Sequence, residues 1–185
     1  MKDEARSKKK RIHRRRIGET LRRAFAEFLT IPSLVIAGCL FLAVGILGAA
    51  DRALRARGQF HLVLAGGNTP RCSYRRLRAA ETDWSAWHIY FGDERCLPAD
   101  DVARNSRMAG DAWLDHVAIP AVQQHPTPAE LGPGEAAQRY AATLQTIGEF
   151  DLVLLGLGED GHTASLFPGR DWGTASGSPS TLAVF

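Results

Sequence analysis

The stretch from Phe150 to Gly169, FDLVLLGLGEDGHTASLFPG, constrains this chain most. Asp151–Leu155 is a short apolar run of β-formers, the pattern of a buried strand with both faces covered. Gly156–Gly161 is a glycine-rich turn that carries two carboxylates, Glu159 and Asp160. His162 follows, and Pro168-Gly169 stops any helix soon after. A strand that ends in such a turn places the histidine at the carboxyl edge of a sheet, where open α/β sheets bind ligands.

Gly156, Gly158 and Gly161 spell G-x-G-x-x-G, but the pattern does not read as a dinucleotide loop. Glu159 and Asp160 would stand where a pyrophosphate needs bare amides, and like charges repel there. Pro168 leaves no room for the long helix that such a loop opens. A histidine after this turn, beside two acids, reads as a functional group in preference to a structural one.

Two other strands end in the same way. Phe60–Ala65 is apolar and runs into Gly66-Gly67-Asn68-Thr69-Pro70. Thr69 suits an N-cap and Pro70 a first helical position, so a helix N-terminus with free amides follows a glycine turn. That is an anion site by construction. Trp87–Phe91 ends in Gly92-Asp93-Glu94-Arg95. Arg95 can grip a phosphate with two parallel hydrogen bonds, and Asp93 can orient a histidine or a sugar hydroxyl.

Around these strands, helices are predicted over Asp51–Arg57, from Thr69 to about Ala80, over Ser106–His116 and over Gly134–Ile147. Val122–His125 reads as a further short strand. Strands that alternate with helices predict an α/β fold, three layers α/β/α with a mainly parallel sheet. The tail from Arg170 to Phe185 reads as a loop entering a strand.

Charge is uneven. Residues 1–16 hold nine Lys/Arg against two Asp/Glu, a net +7; against +3 for the whole chain, this leaves −4 for residues 17–185. The basic balance belongs to the head, and a nucleic-acid-binding core is excluded as an expectation. Cys39, Cys72 and Cys96 show no metal-ligand spacing, and neither metal nor cofactor is expected. Residues 17–29 read as a short amphipathic helix. Ile31–Ala50 then runs for 20 residues without a charge. As a helix it would be about 30 Å long, enough to cross a bilayer core. The sequence reading prefers a membrane span to a core helix here, with the basic side cytoplasmic. The expected organisation is a basic head and short helix over 1–30, a hydrophobic helix over 31–50, and a domain over 51–185.

LAGGNTP at Leu64–Pro70, FGDER at Phe91–Arg95 and GLGEDGHTASLFPG at Gly156–Gly169 together resemble the 6-phosphogluconolactonases of the bacterial pentose phosphate pathway. Asn105-Ser106 and Pro128–Gly132 fit the same family. The resemblance runs over about residues 50–185 and implies a sugar-phosphate-isomerase-like fold. It also implies metal-free hydrolysis of 6-phospho-glucono-1,5-lactone to 6-phosphogluconate, in the cytoplasm. In that scheme His162 is the general base, Asp93 positions the base or the substrate, and Gly66, Gly67, Asn68, Thr69 and Arg95 hold the phosphate. The family pattern departs at both ends: the amino end carries the basic head and apolar span, and the family continues past the carboxyl end with further strands and a basic phosphate contact. The 185-residue chain is therefore expected to show little lactonase activity alone. Two alternatives stand beside this reading. One is a glucosamine-6-phosphate deaminase-like enzyme, which His162-Thr-Ala-Ser-Leu-Phe-Pro disfavours. The other is an inactive, membrane-anchored fragment that binds sugar phosphates.

Overall fold

A computed structural model describes residues 31–170 and 179–184. The basic head and the short helix expected over 1–30, and part of the carboxyl-terminal tail, lie outside the described residues. Four helices and three strands form the frame: α1 (Ile31–Arg57), β1 (Phe60–Leu64), α2 (Asn68–Leu77), β2 (Trp87–Phe91), α3 (Asn105–Ala112), α4 (Pro133–Leu144) and β3 (Leu152–Val153). The chain divides into two units, residues 1–38 and 39–185, and the second carries the sheet.

The sheet has the order β2-β1-β3, and both pairings are parallel. Phe60 lies opposite Trp87 and Leu64 opposite Phe91, so the two strands end level at their carboxyl edge. Period-two alternation sorts the side chains. Phe60, Leu62 and Leu64, with Trp87, Ile89 and Phe91, form the core face. There they meet Ile46, Ala49, Ala50 and Ala53 of α1, Tyr74 and Leu77 of α2, and Trp113 just after α3. Trp87 packs edge-on against Phe60 and Trp113, with ring centroids 4.8 and 5.7 Å apart. The opposite face carries His61, Val63, His88 and Tyr90, and α4 lies on that side. Tyr140 of α4 accepts a hydrogen bond from the Phe91 amide at 2.8 Å and donates to the Phe91 carbonyl at 3.2 Å. Helices thus cover both faces of a parallel sheet, as an α/β architecture requires.

α1 is long and apolar enough to cross a membrane by length and composition. From Cys39 onward its packing has a direction. Cys39, Ala43, Ile46, Ala49, Ala50 and Ala53 are buried at helical spacing, while Phe41 is 82% and Val44 68% exposed. The alanines remove side-chain bulk and let the helix lie close to the sheet. Uniform apolarity hid this stripe in the sequence, because the outward positions are as greasy as the inward ones.

Three local expectations need correction. Thr69 is not the N-cap of α2: Gly67 takes that place at φ 103°, with no side-chain cap, and Thr69 sits inside the first turn. Val122–His125 is not a strand. A 3₁₀ turn over Ala121–Gln123 leads to a single parallel bridge between Gln124 and Ile89. The strand expected over Asp151–Leu155 pairs at only two residues, and Val153 and Leu155 are 45% and 68% exposed. Among the described residues β3 is hydrogen-bonded to β1 alone, so it behaves as an edge strand.

Candidate active site

Tyr74 fixes where β1 stops. Its buried hydroxyl accepts from the Ala65 amide at 3.1 Å and donates to the Ala65 carbonyl at 2.9 Å, and burial pushes its pKa up. The chain then turns at Gly66-Gly67. Gly67 needs its positive φ, which other residues rarely adopt. Gly66 is needed for space: a Cβ there would overlap the Asn105 amide, with Cγ at 2.8 Å. α2 follows with no acid in its first turn, so its end presents uncapped, positively polarised amides.

The loop after β2 divides its three charged residues between different tasks. Glu94 points inward. Its carboxylate accepts from the amides of Asn105 and Ser106 at 2.7 and 2.8 Å, which caps α3. Its fully buried side chain also faces Arg104 Nε at 3.5 Å. Arg104 itself is 2% exposed and donates to Glu130 at 2.8 Å and to the Thr127 carbonyl at 2.7 Å. The Arg104 bond in turn holds the Glu130 carboxyl below its usual range. Asp93 and Arg95 remain on the surface side. Asp93 accepts from Asn105 Nδ2 at 3.0 Å and from the Ser165 hydroxyl at 2.8 Å. Arg95 donates to the Ala103 carbonyl.

The third loop carries His162. The Gly158 amide donates to the His162 carbonyl at 2.8 Å, and Gly161 turns back at φ 86°. No helix follows among the described residues, as the reading against a dinucleotide loop expects. Gly158 lies directly under the imidazole: a Cβ there would overlap Nδ1 and Cε1. His162 donates from Nδ1 to Asp160 Oδ1 and packs on the Phe167 ring at 5.0 Å between centroids. That bond to the imidazole holds the Asp160 carboxyl below its ordinary value. With Nδ1 committed as donor to a carboxylate, Nε2 is the nitrogen left to accept a proton.

The three loops meet in a cleft of about 220 Å³ lined by Gly66, Gly67, Asp93, Arg95, Asn105 and His162. Five of the seven site residues singled out in the sequence thus share one wall. Asn68 and Thr69 do not line it: the Asn68 carboxamide accepts from Arg71 at 3.2 Å, and the Thr69 carbonyl accepts from Ser73 at 2.9 Å. Sequence reasoning also missed Asp160 as the partner of His162, and Asn105 and Ser165 as partners of Asp93. The two-residue spacing of Asp160 and His162 in a tight turn was the signal available for the first. A second, wider cavity of about 1030 Å³ opens beside the cleft and shares Asp93 and Arg95 with it; Tyr90, Tyr140, Phe150, Val153 and Leu155 make much of its remaining wall apolar.

A parallel α/β sheet with a helix N-terminus, an arginine and a carboxylate-held histidine at one edge places these groups where open α/β sheets bind ligands. Comparison narrows the reading. Residues 39–185 match the family described as glucosamine-6-phosphate isomerases/6-phosphogluconolactonase, and the chain belongs to that family. It is 45% identical over 126 residues to a 6-phosphogluconolactonase of Synechocystis, which covers 63% of this chain and 52% of the relative. Over 151 residues it is 42% identical to a 6-phosphogluconolactonase of Nostoc, covering 77% and 62% of the two chains. The chain therefore spans between half and two thirds of these relatives' lengths. Among solved structures, the 6-phosphogluconolactonase of Thermotoga maritima superposes with a TM-score of 0.69 at 29% identity, over 76% of this chain and 64% of that one.

Proposed function

We propose that the cleft hydrolyses 6-phospho-glucono-1,5-lactone to 6-phosphogluconate by general-base activation of water. The observation that carries this reading is His162, held at Nδ1 by Asp160 and facing the same cleft as the Gly66–Gly67 turn and Arg95. A lactone is an activated ester, so a covalent nucleophile is unnecessary. The imidazole Nε2 takes a proton from water as the water attacks the lactone carbonyl carbon. The ring C–O bond then breaks, and its oxygen leaves as the C5 hydroxyl after protonation. A positioned base contributes about 10²–10⁴-fold. The 6-phosphate lies against the Gly66–Gly67 turn that leads into α2, with Arg95 closing over it.

The domain expected over 51–185 works together with the core-facing part of α1, and the reading places it in the cytoplasm with its substrate. Membrane association, if residues 31–50 carry it, runs through the outward side chains Leu40, Phe41 and Val44, with the helix lying on a bilayer. Flotation with liposomes of the chain and of Phe41→Glu tests this: equal flotation of both contradicts it.

The test of function is lactone hydrolysis by the chain, and by the chain extended at its carboxyl end with the corresponding segment of the Synechocystis relative. The spontaneous rate is subtracted in each case. Hydrolysis of the 6-phosphorylated lactone well above that of glucono-1,5-lactone supports the reading. Ammonia release from glucosamine 6-phosphate without lactone hydrolysis overturns it.

A further inference from the structure

The contacts of Asp93 do not match the role of a partner for the base. Its Oδ1 accepts from Asn105 Nδ2 at 3.0 Å, and its Oδ2 accepts from the Ser165 hydroxyl at 2.8 Å. Asp160, not Asp93, meets the His162 ring. Ser165 lies three residues beyond His162 and 72 residues from Asp93. Between Ser165 and His162 stands Ala164 at φ 50°, a left-handed conformation that a side chain disfavours. A strained turn persists only where its surroundings hold it. Two backbone bonds between Thr163 and Leu166, at 3.2 and 2.9 Å, close the turn on itself, and the Thr163 hydroxyl donates to the Gly156 carbonyl at 2.8 Å within the same loop, but none of these reaches β1 or β2.

We propose that Ser165 is a positioning residue for His162: its hydroxyl latches the histidine turn to Asp93, and Asp93 is the anchor of that latch. Asn105 completes the device. It is 5% exposed, it donates to both the carbonyl and the carboxylate of Asp93, and its amide lies against Gly66. One buried carboxamide, bonded to Asp93, therefore packs against the Gly66 turn, and one hydroxyl ties Asp93 to the turn that carries the base. The functional meaning of the latch rests on the reading of His162 as the base. The latch itself is a matter of geometry and has its own readout.

The experiment compares the full chain with Ser165→Ala and Ser165→Thr by amide hydrogen exchange and by the NMR signal of the His162 imidazole. Loss of a hydrogen bond to a carboxylate should speed exchange across residues 158–166 about tenfold. The β1 and β2 amides should keep their rates, and the imidazole Hε1 shift should move toward that of a free histidine. Ser165→Thr, which keeps the hydroxyl, should restore both signals. Unchanged exchange in Ser165→Ala, or loosening that spreads equally to β1 and β2, overturns the proposal. So does a threonine variant that behaves like alanine. Lactone hydrolysis is then measured on the same proteins: a tenfold lower kcat at constant KM supports the positioning role. If exchange and imidazole shift respond while wild type and His162→Ala hydrolyse lactone equally, the latch stands and the lactonase reading falls.

Discussion

The two glycine turns at the carboxyl edge of the sheet look alike in sequence and are built differently. Gly66-Gly67 follows a fully paired strand and opens a regular ten-residue helix, so what it presents to the cleft is backbone fixed by hydrogen-bonded structure. Gly156–Gly161 follows an edge strand with two paired residues and, among the described residues, opens no helix, so what it presents, His162, is a side chain fixed by another side chain. An anion site can be built from backbone alone because every helix start supplies donors. A proton-transfer site needs one particular ring nitrogen in one place, and only specific partners such as Asp160 and Asp93 can put it there. The comparison predicts that the same substitution has different consequences in the two turns.

The largest effect belongs to the histidine turn. Gly158→Ala places a methyl group where the imidazole lies, and His162, 35% exposed, can swing away at little structural cost. The expected result is a kcat loss of about 10²-fold with Tm nearly unchanged, measured by lactone assay and thermal melt. Gly66→Ala, in contrast, pushes on Asn105, which is buried, held through Nδ2 to Asp93 and through its amide to Glu94, and cannot yield cheaply. Overpacking of this kind costs about 1–3 kcal/mol, so Tm should fall by roughly 3–10 °C. If both variants lose Tm equally, the distinction between the turns is wrong.

Next in size is Arg95→Ala. It should raise KM for the phosphorylated lactone by roughly 10–150-fold and leave glucono-1,5-lactone almost untouched, since one bidentate contact to a phosphate is removed. Equal losses on both substrates would move Arg95 out of the phosphate role and leave the Gly66 turn to act alone.

The sheet and the cleft were unequally legible, for reasons the two turns illustrate. β2 has the same bounds in sequence and structure, and β1 differs by one residue, because continuous apolar runs that end in glycine signal buried parallel strands directly. Gly66, Gly67, Asp93, Arg95 and His162, which line one cleft, were legible as candidates because each lies in a loop that leaves the carboxyl end of a strand. Asn105 and Ser165 were not, since their contacts with Asp93 join loops 12 and 72 residues apart, and Asp160 was passed over although it stands two residues from His162 in the same turn. Glu94 stands in the same run of charges as Asp93 and Arg95, after β2. Its inward turn depends on Arg104 and on the start of α3, which lacks a cap from its own N-cap side chain, and the local pattern shows neither. Thr69 lost the cap position because Gly67, with its positive φ, starts the helix earlier.

The smallest effect lies away from both turns. His61, His88 and His125 stack in a row on the α4 side of the sheet, with neighbouring rings 4.6 and 6.2 Å apart. Burial, with mutual repulsion as a second cause at His61 and His125, holds their pKa values below that of a free histidine. The unfolded chain therefore binds more protons, and stability present above about pH 6.5 is lost as pH falls below it. Tm should be modestly lower at pH 5 than at pH 7. Replacing His88 with Gln should shrink the difference, while leaving the contrast between Gly158→Ala and Gly66→Ala intact.

The most direct measurement is the initial rate of 6-phosphogluconolactone hydrolysis by His162→Ala against wild type, both in the carboxyl-terminally extended protein, with the spontaneous rate subtracted. The account predicts a kcat lower by about 10²-fold or more with KM little changed. A kcat within a few-fold of wild type would contradict it.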